Sequence, residues 1–141
     1  MPETDGERGA PAPWAMDLRG TTAPALVGIR RWASRALAHV GDDHLGDVLL
    51  VATELVTNAY DHGKGPVQVR MSRTARPCRV RIEVEDNCLE HPVVVTPSAD
   101  TPGGRGMQIV AKLAAAWGVR EHRASGGKTV WAEVPCDGAE G

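Results

Sequence analysis

Residues 42–62 combine an apolar stripe and a polar stripe at helical spacing. At about 100° per residue, their apolar side chains fall on one arc roughly 120° wide, as expected of a helix that faces a core. These side chains are Leu45, Val48, Leu49, Ala52, Leu55, Val56 and Ala59. Glu54, Asn58 and Asp61 fall together on the opposite side. A solvated polar face is the ordinary interpretation of such a stripe, and it stays open as the alternative to a functional one.

The remaining patterns predict two more helices and five strands. Alternation predicts strands at 14–18, 66–71, 78–86, 118–123 and 129–134. Thr22 and Pro24 begin a helix that ends before Gly41, and a third helix runs from Gly106 to about Ala116. Helices on one face of a mainly antiparallel sheet predict an α+β fold, a two-layer sandwich.

The length of 141 residues suits one domain with a single core. We predict that this domain covers residues 14–135. Residues 1–13 are rich in Pro, Gly and charge, and we expect disordered tails there and at residues 136–141.

A carboxylate closes the third predicted strand, and a glycine cluster opens the third helix. The carboxylate is Asp86, and the cluster consists of Gly103, Gly104 and Gly106 around Arg105. Glycine lets the backbone approach phosphate closely, and a helix N-terminus offers free N–H groups and a positive dipole end. Arg105 adds a charged donor for the same phosphates. Each signal has a plain alternative, a turn formed by the Asp86-Asn87 pair and an ordinary loop before a helix.

The chain contains, in this order, a helix with an acid and an amide, an Asp at the end of a strand, and a glycine loop. This order resembles the N, G1 and G2 boxes of the GHKL ATP-binding fold of gyrase B, histidine kinases and MutL. The resemblance covers roughly residues 14 to 135. It is closest to the small anti-sigma factor serine kinases of the RsbW and SpoIIAB type, which are numerous in actinobacteria. It implies the Bergerat fold, with ATP and Mg²⁺ as ligands.

The resemblance also implies roles for single residues on the helix of residues 42–62 and on the glycine loop. Asn58 matches the asparagine that coordinates Mg²⁺, an ion that prefers oxygen ligands. Glu54 matches the acid that activates the attacking hydroxyl, as a general base does. The loop and helix start that hold phosphate correspond to Gly103, Gly104, Arg105, Gly106 and Met107.

At the base-binding end, the resemblance implies that Asp86 accepts a hydrogen bond from the adenine 6-amino group. GTP offers a carbonyl there, so the same carboxylate rejects it. Thr129 matches the threonine that supports this Asp. The sequence departs from the family here, because the two glycines expected after Asp86 are absent from Asn87-Cys88-Leu89-Glu90. Side chains are therefore expected to crowd the floor beside the base.

Charge gives no general attraction to nucleic acid or to an anionic membrane, since the formal net charge is −2. Five arginines nevertheless cluster on one predicted hairpin, at positions 70, 73, 76, 79 and 81. Without stacking aromatics beside them, a solvated, charged sheet edge explains them better than a nucleic-acid site.

The expected location and redox state follow from the absence of a membrane span, a signal peptide and a cysteine pair in the sequence. No apolar run approaches the roughly 20 residues of a membrane span, and the N-terminus lacks the apolar core of a signal peptide. Cys78, Cys88 and Cys136 are odd in number and show neither a CxxC pair nor metal-ligand spacing. We therefore expect a cytoplasmic protein with no membrane association, three free thiols, no disulfide framework and no zinc site.

The function implied by the resemblance is an ATP-dependent anti-sigma factor with serine/threonine kinase activity. Its partners are a sigma factor, held inactive, and a small anti-sigma factor antagonist of the STAS type, phosphorylated on serine. Relatives of this branch are commonly dimers, so a homodimer is one expected assembly. The alternative is a non-catalytic interaction module that uses bound nucleotide only to set partner affinity. The missing glycines favour the module, and Glu54 favours catalysis.

Overall fold

Three helices and five strands make up the described part of the chain. The computed structural model describes residues 12–19, 23–38, 42–62, 66–75, 77–90 and 105–136. The elements follow in the order β1 (Trp14–Asp17), α1 (Ala23–Ala36), α2 (Asp42–His62), β2 (Pro66–Ala75), β3 (Cys78–Asp86), α3 (Arg105–Leu113), β4 (Ala116–His122) and β5 (Gly127–Pro135). Within these ranges no helix is long and apolar enough to cross a membrane.

The strands form one sheet in the order β1-β2-β3-β5-β4, and every neighbouring pair is antiparallel. Burial alternates strictly along β3, because successive side chains point to opposite faces. Val80, Ile82 and Val84 are buried on the face that the helices cover. The other face carries charged side chains and is open. The prediction of an α+β sandwich is confirmed.

Helix α2 lies at the centre of the helical layer and contacts β3, β5 and α3, whereas α1 covers β1 and β2. Most of the predicted apolar stripe of α2 is buried, namely Val48, Ala52, Leu55, Val56 and Ala59, and Leu45 and Leu49 are partly buried against the core. Val51, which the predicted stripe did not include, is fully buried as well. The bounds of α2 agree with the sequence pattern.

Helix α3 ends three residues earlier than predicted, at Leu113 rather than near Ala116. The reason is a change of hydrogen-bond partner. The Ala114 N–H still donates to the Val110 carbonyl, but the Ala115 N–H donates to the carbonyl of Glu133 in β5, 2.8 Å away. The backbone thus changes from helical to sheet hydrogen bonds at Ala115, and β4 begins with Ala116.

The prediction of three free thiols is wrong. Cys78 and Cys136 form a disulfide across 58 positions, with their Cα atoms 5.1 Å apart, and Cys88 is the free cysteine. The antiparallel pairing of β3 with β5 places the beginning of one strand beside the end of the other, and Cys136 donates its N–H to the Cys78 carbonyl at 3.0 Å. Cys136, which we assigned to the C-terminal tail, is fully buried.

Replacing Cys136 with Ser should lower the free energy of unfolding under oxidising conditions by about 4 kcal/mol, because the bridge closes a long loop in the unfolded chain. Urea unfolding with and without a thiol reductant measures this. The matched control is Cys88→Ser, which keeps the disulfide and should keep the dependence on reductant. Equal unfolding midpoints for the wild type and Cys136→Ser without reductant would contradict the prediction.

Candidate functional site

Glu54 and Asn58 lie one turn apart on α2, and both are partly buried. Asn58 follows the fully buried Val51 by seven positions, nearly two turns, so it borders the apolar stripe. Asp61, on the same side of the helix, is exposed. The polar stripe therefore runs from partly buried side chains to an exposed one. On a purely solvated face, all three side chains would be exposed.

The C-terminal part of the glycine cluster, Arg105 and Gly106, belongs to the first turn of α3, one residue earlier than the predicted helix start at Gly106. Gly103 and Gly104 lie outside the described residues. Met107 is 3% exposed and belongs to the core. Its side chain is thus a packing group, and what it offers phosphate is the backbone N–H of the first turn. Because α3 packs against α2, one helical layer carries both predicted ligand-binding elements.

Asp86 ends β3 on the helix-covered face and is 2% exposed. Lys128, also 2% exposed, donates its Nζ to both carboxylate oxygens, at 3.0 Å to Oδ1 and 2.9 Å to Oδ2. The Cys88 N–H donates to Oδ1 at 2.9 Å, so the predicted alternative of an Asp turn is present as well. A third Nζ bond, of 3.0 Å, goes to the Cys88 carbonyl.

Sequence reasoning missed Lys128, although the strand pattern contained a signal for it. Val130, Ala132 and Val134 alternate as the buried positions of β5. Lys128 stands on the same phase, two residues before Val130. A lysine on the buried phase of a strand needs a partner, and Asp86 is its cross-strand neighbour.

The prediction that Thr129 supports Asp86 is wrong. Thr129 pairs with Glu85 and therefore points to the opposite sheet face from Asp86. It is fully buried, and its hydroxyl lies 2.7 Å from Nε2 of His122. A shift of one position along the strand separates the expected supporting residue from the actual one.

Two glycines bring β5 to the end of β3. Gly126 has a φ of +80° in the turn, a conformation that side chains disfavour. At Gly127, a Cβ atom would lie 2.3 Å from the Asp86 carbonyl oxygen. Only a residue without a side chain permits this approach, and the approach places Lys128 against Asp86.

The open sheet face carries three of the predicted arginines in ion pairs. Arg70 lies 2.9 Å from Glu83, and Arg81 lies 2.7 Å from Glu83 and 2.8 Å from Glu133. Arg79 lies 3.6 Å from Glu133. The clustered arginines of this face are therefore neutralised by glutamates. Arg76 lies outside the described residues.

Two details of the arginine cluster differ from expectation. An aromatic does stack on it, because the Arg81 guanidinium lies 4.5 Å from the ring centre of Trp131. Arg73 is not solvated but 8% exposed, with Nη1 3.3 Å from Sγ of Cys78. Burial lowers the pKa of Arg73.

Glu83 is the electrostatic centre of the open face. Burial raises its pKa, but hydrogen bonds from Arg81 and Arg70 and the charges of both outweigh burial and leave the pKa below its ordinary value. A carboxylate with a depressed folded-state pKa stabilises the fold above its unfolded pKa, and this contribution is lost as the pH falls through the folded one. These ion pairs are therefore sensitive to acid.

Residues 18–134 match the family model of the histidine kinase-like ATPase domain. The chain belongs to this family. No match was found among curated proteins. The histidine kinase-like ATPase domain supports ATP binding, usually with Mg²⁺. Within the described ranges, no group of three or more His, Cys, Asp and Glu side chains gathers to hold a metal. The amide oxygen of Asn58, phosphate oxygens and water are of the kind that Mg²⁺ takes as ligands.

The two ends of this histidine kinase-like site fit a nucleotide differently. The N-terminus of α3 and the side-chain oxygens of Glu54 and Asn58 on α2 have the chemistry that phosphates and Mg²⁺ require. At the other end, Lys128 already occupies both oxygens of Asp86. The site residues thus suit the phosphates better than the base.

Gly127→Ala should destabilise the protein by about 1–3 kcal/mol, since overpacking forces the backbone of β3 and β5 apart. It should also loosen the bond between Lys128 and Asp86. Thermal unfolding measures the first effect, and the NMR signal of the Lys128 ammonium measures the second.

Gly46→Ala is the matched control for Gly127→Ala. Gly46 lies in α2, and a Cβ there meets nothing within 4 Å. It should therefore raise stability by about 0.5–1 kcal/mol through helix propensity. Unchanged stability of Gly127→Ala would mean that the two strands adapt without cost.

Proposed function

We propose that this protein is an ATP-dependent regulatory kinase of the anti-sigma factor type, which binds a sigma factor and phosphorylates a serine of a small antagonist protein. The observation that supports this best is the position of Glu54 and Asn58. They are partly buried one turn apart on α2, which packs against the helix that the glycine cluster opens. An acid and an amide so placed have the chemistry of phosphoryl transfer to a hydroxyl.

Each of the two side chains has its own task in this proposal. The carboxylate of Glu54 accepts the proton of the attacking serine hydroxyl, which makes that oxygen a better nucleophile. The amide oxygen of Asn58 is a ligand for Mg²⁺, which neutralises phosphate charge. Partial burial keeps both groups reachable for a protein substrate while it limits their motion.

The proposed partners are proteins, namely a sigma factor and an antagonist of the STAS type. The pairing of Arg70, Arg79 and Arg81 with glutamates supports this choice over a nucleic-acid partner, because paired arginines have less charge to offer phosphates. We further propose a cytoplasmic location, where sigma factors act, and a homodimer. A disulfide is unusual in that compartment, so the redox state of Cys78 and Cys136 in cells is a useful check on the location.

A specific observation favours the alternative of a non-catalytic, nucleotide-gated interaction module. The bond of Lys128 to Asp86, together with the absence of glycine at position 88, leaves the base-binding end filled by protein groups. A domain with weakened nucleotide binding is able to use nucleotide as a signal without turning it over. Phosphotransfer separates the two functions.

In the kinase proposal, Glu54→Ala should leave the affinity for Mg-ATP nearly intact but lower phosphotransfer by roughly 10²–10⁴, the usual contribution of a positioned base. Asn58→Ala should weaken Mg-ATP binding itself, because it removes a metal ligand. Transfer of labelled phosphate to antagonist proteins encoded near this gene measures the first effect, and calorimetry the second.

Asp61→Ala is the matched control, since Asp61 lies on the same side of α2 but is exposed. It should change neither binding nor transfer. If the wild type binds ATP and its partner yet transfers no phosphate to any such antagonist, the kinase proposal fails and the interaction module replaces it.

A further inference from the structure

The pair of Asp86 and Lys128 uses nearly all of its hydrogen-bonding capacity internally. An ammonium group has three N–H donors, and those of Lys128 are matched by Oδ1 and Oδ2 of Asp86 and by the Cys88 carbonyl. An ionised carboxylate has about four acceptor positions. Three of them are taken, two by Lys128 and one by the Cys88 N–H. Lys128 therefore has no donor left, and Asp86 has about one acceptor position.

The hydrogen bonds between Lys128, Asp86 and Cys88 determine how this end of the site can recognise a base. The acceptor position left on Asp86 is closed to a ligand, because the side chain is only 2% exposed, so the adenine 6-amino group, a donor, would have to displace Lys128 from the carboxylate. Displacing Lys128 leaves a buried ammonium without its partner, which is strongly unfavourable. Guanine offers a carbonyl acceptor at the same position, but every donor of Lys128 is already used. Neither base gains an advantage at this pair.

The loop after β3 is part of the same arrangement. Cys88 contributes its N–H to Asp86 and its carbonyl to Lys128, so its backbone is bonded in both directions. Gly127 allows β5 to lie close enough for Lys128 to reach both groups. Cys88, which replaces an expected glycine, and Lys128 thus belong to the same hydrogen-bonded cluster around Asp86.

We propose that Lys128 sets the nucleotide selectivity of this site by occupying Asp86, so that the protein takes nucleoside triphosphates through their phosphates and metal without selecting the base. This inference rests on the proposed nucleotide site and names its substrate class. It assigns Lys128 as a specificity-determining residue. It also replaces the sequence-based prediction that Asp86 selects adenine.

The test is calorimetric titration with Mg-ATP, Mg-GTP and Mg-tripolyphosphate, which has no base. For the wild type, the affinities for ATP and GTP should agree within about threefold, a difference of less than one kilocalorie. Lys128→Thr frees the carboxylate and should prefer ATP over GTP by roughly tenfold or more, as expected of one hydrogen bond to a charged group. Lys112→Thr is the matched control, an exposed lysine at the end of α3, and should keep the wild-type ratio.

Removal of Lys128 alone leaves Asp86 buried and unpaired, so Lys128→Thr carries a risk of unfolding. The double variant Asp86→Asn with Lys128→Met removes both charges at similar volume, and it should fold and bind both nucleotides equally. The wild type provides a second measurement. The NMR signal of its Lys128 ammonium should stay unchanged on addition of Mg-ATP.

Three results would overturn the inference: a wild-type preference for ATP of tenfold or more, an unchanged ratio in folded Lys128→Thr, or a shifted Lys128 signal with Mg-ATP. Binding of ATP by Lys128→Thr but not by the wild type would also overturn it, because the wild type is proposed to bind nucleoside triphosphates. Absence of binding by every variant would overturn it together with the nucleotide site. The selectivity assay contains no antagonist protein. A failure of phosphotransfer therefore contradicts the kinase proposal without affecting the ratio of the affinities for ATP and GTP.

Discussion

The antiparallel pairing of β3 with β5 is the interaction on which the rest of the structure depends. Its register joins Arg79 to Pro135 at one end and Asp86 to Lys128 at the other. Beyond the first end the disulfide of Cys78 and Cys136 ties the two strands covalently, and at the second end a buried ion pair ties them electrostatically. Between the two ends lie the apolar side chains on which α2 packs.

The two faces of this sheet are stabilised by different physics. The covered face is mainly apolar. Among the described residues, its buried polar side chains are Arg73 of β2, beside Cys78 at the start of β3, and the pair of Asp86 and Lys128 at the end of β3. On the open face, Arg81 is bonded to Glu83 and Glu133 and stacked on Trp131. The ring of Trp131 in turn lies over Gly118, where a Cβ atom would come within 2.9 Å of it. A charged surface of this kind stays ordered and discourages pairing with another sheet.

The candidate site combines a buried ion pair at one end with partly buried polar side chains on α2 at the other. At the ion-pair end, Nζ of Lys128 and both carboxylate oxygens of Asp86 are hydrogen-bonded within the protein. At the helical end, Glu54 and Asn58 are only partly buried, beside a helix whose first turn presents backbone donors. In our proposal a nucleotide is held here mainly through its phosphates, so that ATP binding and base selection have separate physical origins.

Local periodicity in the sequence determined the helices, the strands and the two-layer fold, because a stripe of buried side chains recurs every 3.6 residues in a helix and every second residue in a strand. It also determined the place of Glu54, Asn58 and Asp86. Tertiary structure alone decided which strand residue faces Asp86 and which cysteines meet. Position 128 rather than 129 reaches the carboxylate, and residues 78 and 136 form a bridge, because strand register and pairing bring distant positions together. Spacing along the chain carries no record of that proximity.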